Sequence, residues 1–291
     1  MSSYSGAFPP PPDDDQRPPW AAPAPPPPQE PEPDPVPEPE PVRGRLGGFR
    51  FDLPDDEPVV DDEPEPEPAD TAPALPFDLL VFDFAGLLVA SPIHAVAGLA
   101  PALGIDPPKL LDLVFGPYAT ADTDHPYHKL ERNEITTSAY DEYLQAQGEE
   151  LGIELGFERI RPLLLAVDVN EVVVDYIVDR RREGFRTALI SNMTKEVTLA
   201  WKQMLPLGQL FDVVVDSASA GIRKPNPTIF RQVLHQLGVE PARAVLLDDT
   251  LGNVEGAKSV GMAGIHVVRD PTIGLKQLNV LMGRSHVDED D

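Results

Sequence analysis

Six residues whose types work together in reaction chemistry occur at four separated points of this 291-residue chain: Asp83, the pair Ser191 and Asn192, Lys224, and the pair Asp248 and Asp249. Carboxylates gathered at one point repel by roughly several kcal/mol unless a divalent cation sits among them, and hard oxygen donors select Mg2+. A hydroxyl, an amide and an ammonium are the donors that a phosphoryl oxygen accepts from. Position 85, two after Asp83, is alanine and carries no proton for acid–base work. Each group also has a plainer reading when taken singly. Asp83 could cap a turn, Ser191 and Asn192 could cap a helix beginning near Thr194, and Lys224 could be a solvated loop cation.

Positioning such groups requires strands that end together. Asp83 follows the apolar run Leu79-Leu80-Val81-Phe82, and Gly86 permits a tight turn after it. Ser191 follows Thr187-Ala188-Leu189-Ile190, and Asp248 follows Ala244-Val245-Leu246-Leu247. Strands are expected near 79–84, 186–191, 211–215, 244–248 and 264–268, with amphipathic helices between them. The stretch 228–237 is one such helix, with Asn226-Pro227 as its start and Gly238 as its stop; Trp201 and Phe230 fall on apolar helix faces as core residues. The fold class this implies is α/β, a doubly wound, mostly parallel, Rossmann-like sheet. Roughly 95 residues separate the first two strands, too many for a loop, and they carry helical patterns at 93–103, 136–147 and 157–182. A helical cap over residues 92–182, inserted into a core formed by 77–91 and 183–291, accounts for that spacing.

Composition separates this part from what precedes it. Before Phe77 lie 24 of the 36 prolines and 18 acidic residues against 4 basic, so residues 1–76 are expected to be a disordered, acidic, proline-rich tail. An island at Arg43-Gly44-Arg45-Leu46-Gly47-Gly48-Phe49-Arg50-Phe51 could dock a protein partner; a solvated spacer is the plainer alternative. The remaining residues carry 31 acidic and 19 basic side chains, and the net charge of −26 disfavours nucleic acid as a partner. The absence of cysteine excludes thiolate chemistry and fits a reducing, cytoplasmic setting. The first residues lack the basic start and apolar stretch of a secretory signal, and no apolar run approaches the roughly 18–20 residues of a membrane span.

The four motifs, in this order, resemble those of the haloacid dehalogenase superfamily: an Asp-x-x-Gly at the first strand, a Ser or Thr at the second, a Lys, and an acidic pair. The segments His125-Pro126-Tyr127-His128-Lys129-Leu130-Glu131-Arg132-Asn133-Glu134-Ile135 and Leu247-Asp248-Asp249-Thr250-Leu251-Gly252-Asn253-Val254-Glu255-Gly256-Ala257 are similar to the branch with epoxide-hydrolase N-terminal phosphatase domains and sugar-phosphate phosphatases. The resemblance covers residues 77 to 283. It implies that Asp83 attacks phosphorus to form an aspartyl-phosphate that water hydrolyses. By the same resemblance Mg2+ would be held by Asp83, the backbone carbonyl of Ala85 and Asp249, with Asp248 a direct ligand or just behind, and Ser191, Asn192 and Lys224 would bind the phosphoryl oxygens, Lys224 also steadying Asp83 and Asn253 supporting the acidic loop. The implied substrate is a small phosphorylated metabolite.

The family's second Asp, which protonates the leaving group, is Ala85 here. Acid–base help of that kind contributes about 10²–10⁴ in rate, so slow or leaving-group-selective hydrolysis is the expectation. The alternative is a catalytically impaired binding or scaffold protein that recruits partners through its acidic tail. Ala85 is also similar to the start of phosphonate-cleaving members, which need a cap lysine; Lys129 is the nearest and lies outside that pattern. Carbon–halogen cleavage needs no metal, against which the acidic pair argues. His125 and His128 could stand in for the missing acid, with packing as the plainer role, and Glu131 is expected to stabilise a helix or pack the cap.

Overall fold

The computed structural model describes residues 76–117, 122–166 and 168–284; the expected tail, residues 1–75 of it, lies outside the described residues. Five strands form one sheet: β1 (Leu79–Phe82), β2 (Arg186–Ser191), β3 (Val213–Asp216), β4 (Ala244–Asp248) and β5 (Ala263–His266). All pairings are parallel and the order is β3-β2-β1-β4-β5. The chain therefore winds one way from β1 to β3 and the other way through β4 and β5. A crevice opens beside the tip of β1, where the winding reverses. The register sets the tips level, because Phe82 pairs with Leu189 on one side and Leu247 on the other.

The β1 residues Leu79, Leu80, Val81 and Phe82 are all fully buried, as a strand covered on both faces requires. On one face Leu79, Val81, Ala188, Ile190 and Leu246 pack against Ile229, Phe230 and Val233 of α11 (Pro227–Leu237). That helix begins as its sequence dictates: Asn226 accepts a hydrogen bond from the Thr228 amide, Pro227 takes the first turn, and Gly238 ends it at φ 58°. Phe230 is core; Trp201, on α8 (Lys195–Met204), is buried but stacks on Phe84 beside the crevice.

Between β1 and β2 come α1 (Pro92–Ala97), α2 (Ala100–Leu103), α3 (Pro107–Phe115), α4 (Pro126–Glu131), α5 (Thr137–Leu151), α6 (Phe157–Leu165) and α7 (Glu171–Arg182). The chain leaves and returns through a narrow neck, in which the Ala90 amide donates to the Asp168 carbonyl at 3.0 Å and the Asn170 amide to the Leu88 carbonyl at 2.7 Å. The helical stretch expected over 157–182 is thus two helices, because the backbone must run extended at 168–170 to pair across the neck. Helices α1 to α6 pack mainly on one another, whereas α7 packs on β2, on α9 (Leu207–Leu210) and on α13 (Pro271–Leu281). No helix among the described residues is long and apolar enough to cross a membrane.

One close approach ties the fold to the crevice. A Cβ on Gly256, in α12 (Leu251–Ser259), would lie 2.5 Å from the Pro225 carbonyl oxygen and 3.0 Å from the Phe230 ring. Gly256→Ala should therefore cost about 1–3 kcal/mol through overpacking. Gly208→Ala, at a position with nothing within 4 Å, serves as the control and should cost nothing. Urea midpoints check both, and equal midpoints would contradict the packing argument.

Candidate active site

Two of the expected carboxylates, Asp83 and Asp248, converge on the buried Lys224 ammonium. Lys224 Nζ donates to Asp83 Oδ1 at 2.6 Å, to Asp248 Oδ2 at 2.6 Å and to the Ile190 carbonyl at 2.7 Å. The tips of β1, β2 and β4 and the loop before α11 thus share one centre. Lys224 and Asp248 are fully buried and Asp83 is 6 % exposed. Burial pushes the Asp83 carboxyl well above the usual carboxylate range; the Lys224 ammonium pulls it back, and Asp248 and Asp249 push it further up. Burial disfavours the Lys224 charge, yet Asp248 and Asp83 outweigh it and raise that ammonium above its ordinary value.

The acidic pair divides its work. Asp248 Oδ1 accepts from the Thr250 amide and from Asn253 Nδ2, both at 2.9 Å, so both its oxygens have protein partners. Asp249 Oδ1 accepts from Thr250 Oγ1 at 3.2 Å, its one side-chain partner among the described residues, and its other oxygen lies against Gly86, where a Cβ would come within 2.0 Å. Gly86 has φ +84°, so both the turn and the carboxylate demand glycine. Burial, then Asp248, pushes Asp249 up to about 7, with Lys224 and Thr250 opposing.

Carboxylate oxygens of Asp83, Asp248 and Asp249 lie within 4.8 Å of one another. Three carboxylates against one lysine leave unneutralised negative charge in a buried place, and the donors are all hard oxygens. The residues present fit Mg2+.

Ser191 ends β2 with its Oγ buried and, among the described residues, without a partner, as a hydroxyl awaiting an acceptor would be. Asn192 is engaged otherwise. Its Nδ2 donates to the Lys224 carbonyl at 3.0 Å and its Oδ1 accepts from the Lys224 amide at 2.8 Å, so the side chain clamps the lysine loop. Thr194, not Ser191 or Asn192, caps α8, accepting from the Val197 amide. Ala85 lines the crevice.

The inserted helices supply groups the linear reading undervalued. Glu131 of α4 accepts from Arg223 Nε at 2.7 Å, and both are nearly fully buried in the wall of the same crevice. Burial raises Glu131, with Arg223 opposing. The signal was present in the adjacency of Arg223 to Lys224. His125 instead bonds Tyr143 through Nε2 at 3.1 Å and accepts from the Tyr127 amide through Nδ1. His128 is held by Thr123, and burial, then Arg223, lowers it to about 3, so it is neutral. Neither histidine lines the crevice, and Lys129 sits outside it, 3.7 Å from Asp124.

The pattern of the haloacid dehalogenase-like hydrolases matches residues 77–261. The chain belongs to that family. Bifunctional epoxide hydrolase 2 of Rattus norvegicus is 27 % identical over 186 residues, 59 % of this chain and 33 % of that protein. The phosphoglycolate phosphatase of Aquifex aeolicus is 33 % identical over 81 residues, 28 % of this chain and 38 % of that enzyme. The matches thus span only about a third of either relative. A HAD-like family hydrolase from Porphyromonas gingivalis superposes with a TM-score of 0.51 at 22 % identity, over 70 % of this chain and 98 % of that one, which shows the shared fold.

The excess charge predicts a pH signature. Asp249 is raised from the ordinary carboxylate value to about 7, so folding takes up a proton. That contribution is fully present below the unfolded-state pKa and is lost as pH rises toward 7. Without divalent cations, thermal midpoints should fall between pH 5 and pH 8, and added Mg2+ should raise them more at pH 8. Asp249→Asn should remove most of the Mg2+ gain. An equal gain at both pH values would contradict the cation fit.

Proposed function

We propose that the chain is a Mg2+-dependent phosphatase of small phosphorylated metabolites that works through an aspartyl-phosphate on Asp83. The observation that carries this reading is the buried Lys224 ammonium bonded to both Asp83 and Asp248 beside the free edge of Asp249. Lys224 holds one oxygen of Asp83, so the other is oriented to attack phosphorus. Asp83, Asp249 and the Ala85 backbone carbonyl would hold Mg2+, with Asp248 behind them, its oxygens already committed to Lys224, Thr250 and Asn253. The metal supplies charge neutralisation for the phosphoryl oxygens. Ser191 Oγ and Lys224 bind those oxygens. Asn192, which the sequence assigned to the same task, acts through the Lys224 backbone that its amide clamps.

The leaving oxygen departs with its bonding electrons and receives no proton from position 85. Hydrolysis is therefore selective for leaving groups that are stable as anions. Helices α1 to α6 act as the cap that chooses the substrate. The packing of α7 on the sheet supports assigning that helix to the core, which moves the far boundary of the cap from 182 to about 168.

Phosphate release from a metabolite panel, with and without Mg2+, tests the reading on the full chain. Asp83→Asn should reduce Mg2+-dependent release to background. Unchanged turnover in that variant, or binding of phosphate analogues without any turnover, would overturn the phosphatase and favour the non-catalytic binding protein. Ala85→Asp should speed hydrolysis of alkyl phosphates about tenfold or more, and acyl phosphates far less. An equal effect on both would mean that another group already donates the proton.

A further inference from the structure

The crevice above Asp83 has a second end whose chemistry differs from the first. On the side of the inserted helices it is walled by Ile93 of α1, Phe115 of α3 and Leu164 of α6, and on the core side by Val197 and Trp201 of α8. The Trp201 ring is fixed by stacking on Phe84, with centroids 4.0 Å apart and planes at 16°. A flat wall, apolar except for an indole N–H that is buried without a partner among the described residues, therefore stands at this end of the crevice.

The charges at this end are committed to one another. Arg223 and Lys224 are the two cations lining the crevice among the described residues. Arg223 bonds Glu131 and lies 3.6 Å from Asp122, while Lys224 bonds Asp83 and Asp248. A second anionic group on a substrate would meet matched cations and face the carboxylates of Glu131 and Asp249, an uncompensated burial of charge. Many hydroxyls fare little better. The neutral hydroxyls lining the crevice among the described residues are those of Ser91, Tyr127, Thr194 and Thr250; Thr250 is spent on Asp249, and Thr194, which accepts from its own helix, keeps one proton to donate. Each substrate hydroxyl without a partner forfeits binding, whereas apolar surface gains it.

We infer, on the strength of the phosphatase reading, that the leaving group is an apolar, uncharged hydroxyl compound, so that the substrate class is monophosphates of aryl or arylalkyl alcohols rather than phosphosugars or phosphorylated carboxylic acids. Aryl esters suit the site doubly, because an aryloxide leaves without the proton that Ala85 lacks. In the reaction an Asp83 oxygen bonds phosphorus as the bond to the aryl oxygen breaks, and that oxygen keeps the electron pair. Water then attacks the aspartyl-phosphate, regenerating the Asp83 carboxylate and releasing inorganic phosphate, and its proton restores the neutral phenol through solvent.

The test measures kcat/KM for phosphate release by the full chain with Mg2+ on paired compounds. Phenyl phosphate is compared with 4-carboxyphenyl phosphate, whose leaving group is the better one but carries a charge. Benzyl phosphate is compared with a hexose 6-phosphate, both esters of primary alcohols. Phosphoglycolate and acetyl phosphate complete the set. The uncharged, apolar member of each pair should be favoured at least about tenfold. Ile93→Asn, and the nearly isosteric Val197→Thr, should each shrink the benzyl-to-hexose ratio severalfold. Turnover that depends on Asp83 but is equal or faster with the carboxylated compound, the hexose phosphate or phosphoglycolate would overturn this inference and leave the phosphatase standing. No release from any compound, acetyl phosphate included, would remove both.

Discussion

The ammonium of Lys224 is the constraint on which the rest of the site depends. It is fully buried, and its bonds to Asp83, Asp248 and the Ile190 carbonyl join three neighbouring strands at their carboxyl ends. A buried charge is tolerable only when paired, and removing one partner of such a pair costs about 3–5 kcal/mol. The lysine and the two carboxylates therefore require one another before any ligand is considered. Their presence forces the loop before α11 down onto the strand tips, where Asn192 grips the lysine backbone from one side and the missing side chain of Gly256 admits α12 from the other.

Arg223 extends this arrangement outward. Consecutive residues reach in different directions, Lys224 to the carboxylates of the sheet and Arg223 to Glu131 in the inserted helices. Both contacts are buried and each neutralises a charge that would otherwise be stranded. The inserted helices are thus registered on the core by an ion pair next to the buried Lys224, so a displacement of α4 would be felt at the loop that carries Lys224. The same pair cancels charge in the wall of the crevice and leaves Ile93, Phe115, Leu164, Val197 and Trp201 as its apolar lining.

The alanine at position 85 and the glycine at 86 make a contrasting pair. Gly86 is demanded by a positive φ and by the Asp249 carboxylate pressed against its α-carbon. Ala85 beside it lines the crevice and carries no ionisable side chain. One short loop thus joins a position fixed by sterics to one that carries no titratable group.

The sequence by itself determined the alternation of strands and helices, the apolar β1 that needs cover on both faces, the capped start of α11, and the four segments that carry Asp83, Ser191, Lys224 and Asp248. These follow from local periodicity and turn chemistry, which depend on neighbours along the chain. It did not determine that α7 belongs with the sheet, that Asn192 spends its amide on the Lys224 backbone, that Thr194 is the cap of α8, or that Glu131 meets Arg223 across 92 positions. A helical period does not say what a helix packs on, and an amide or carboxylate has no preferred partner until distant segments arrive within about 3 Å. Only the tertiary structure decided those partners, because hydrogen bonds and buried charges are settled by which groups are excluded from water together, and that is a property of the folded chain alone.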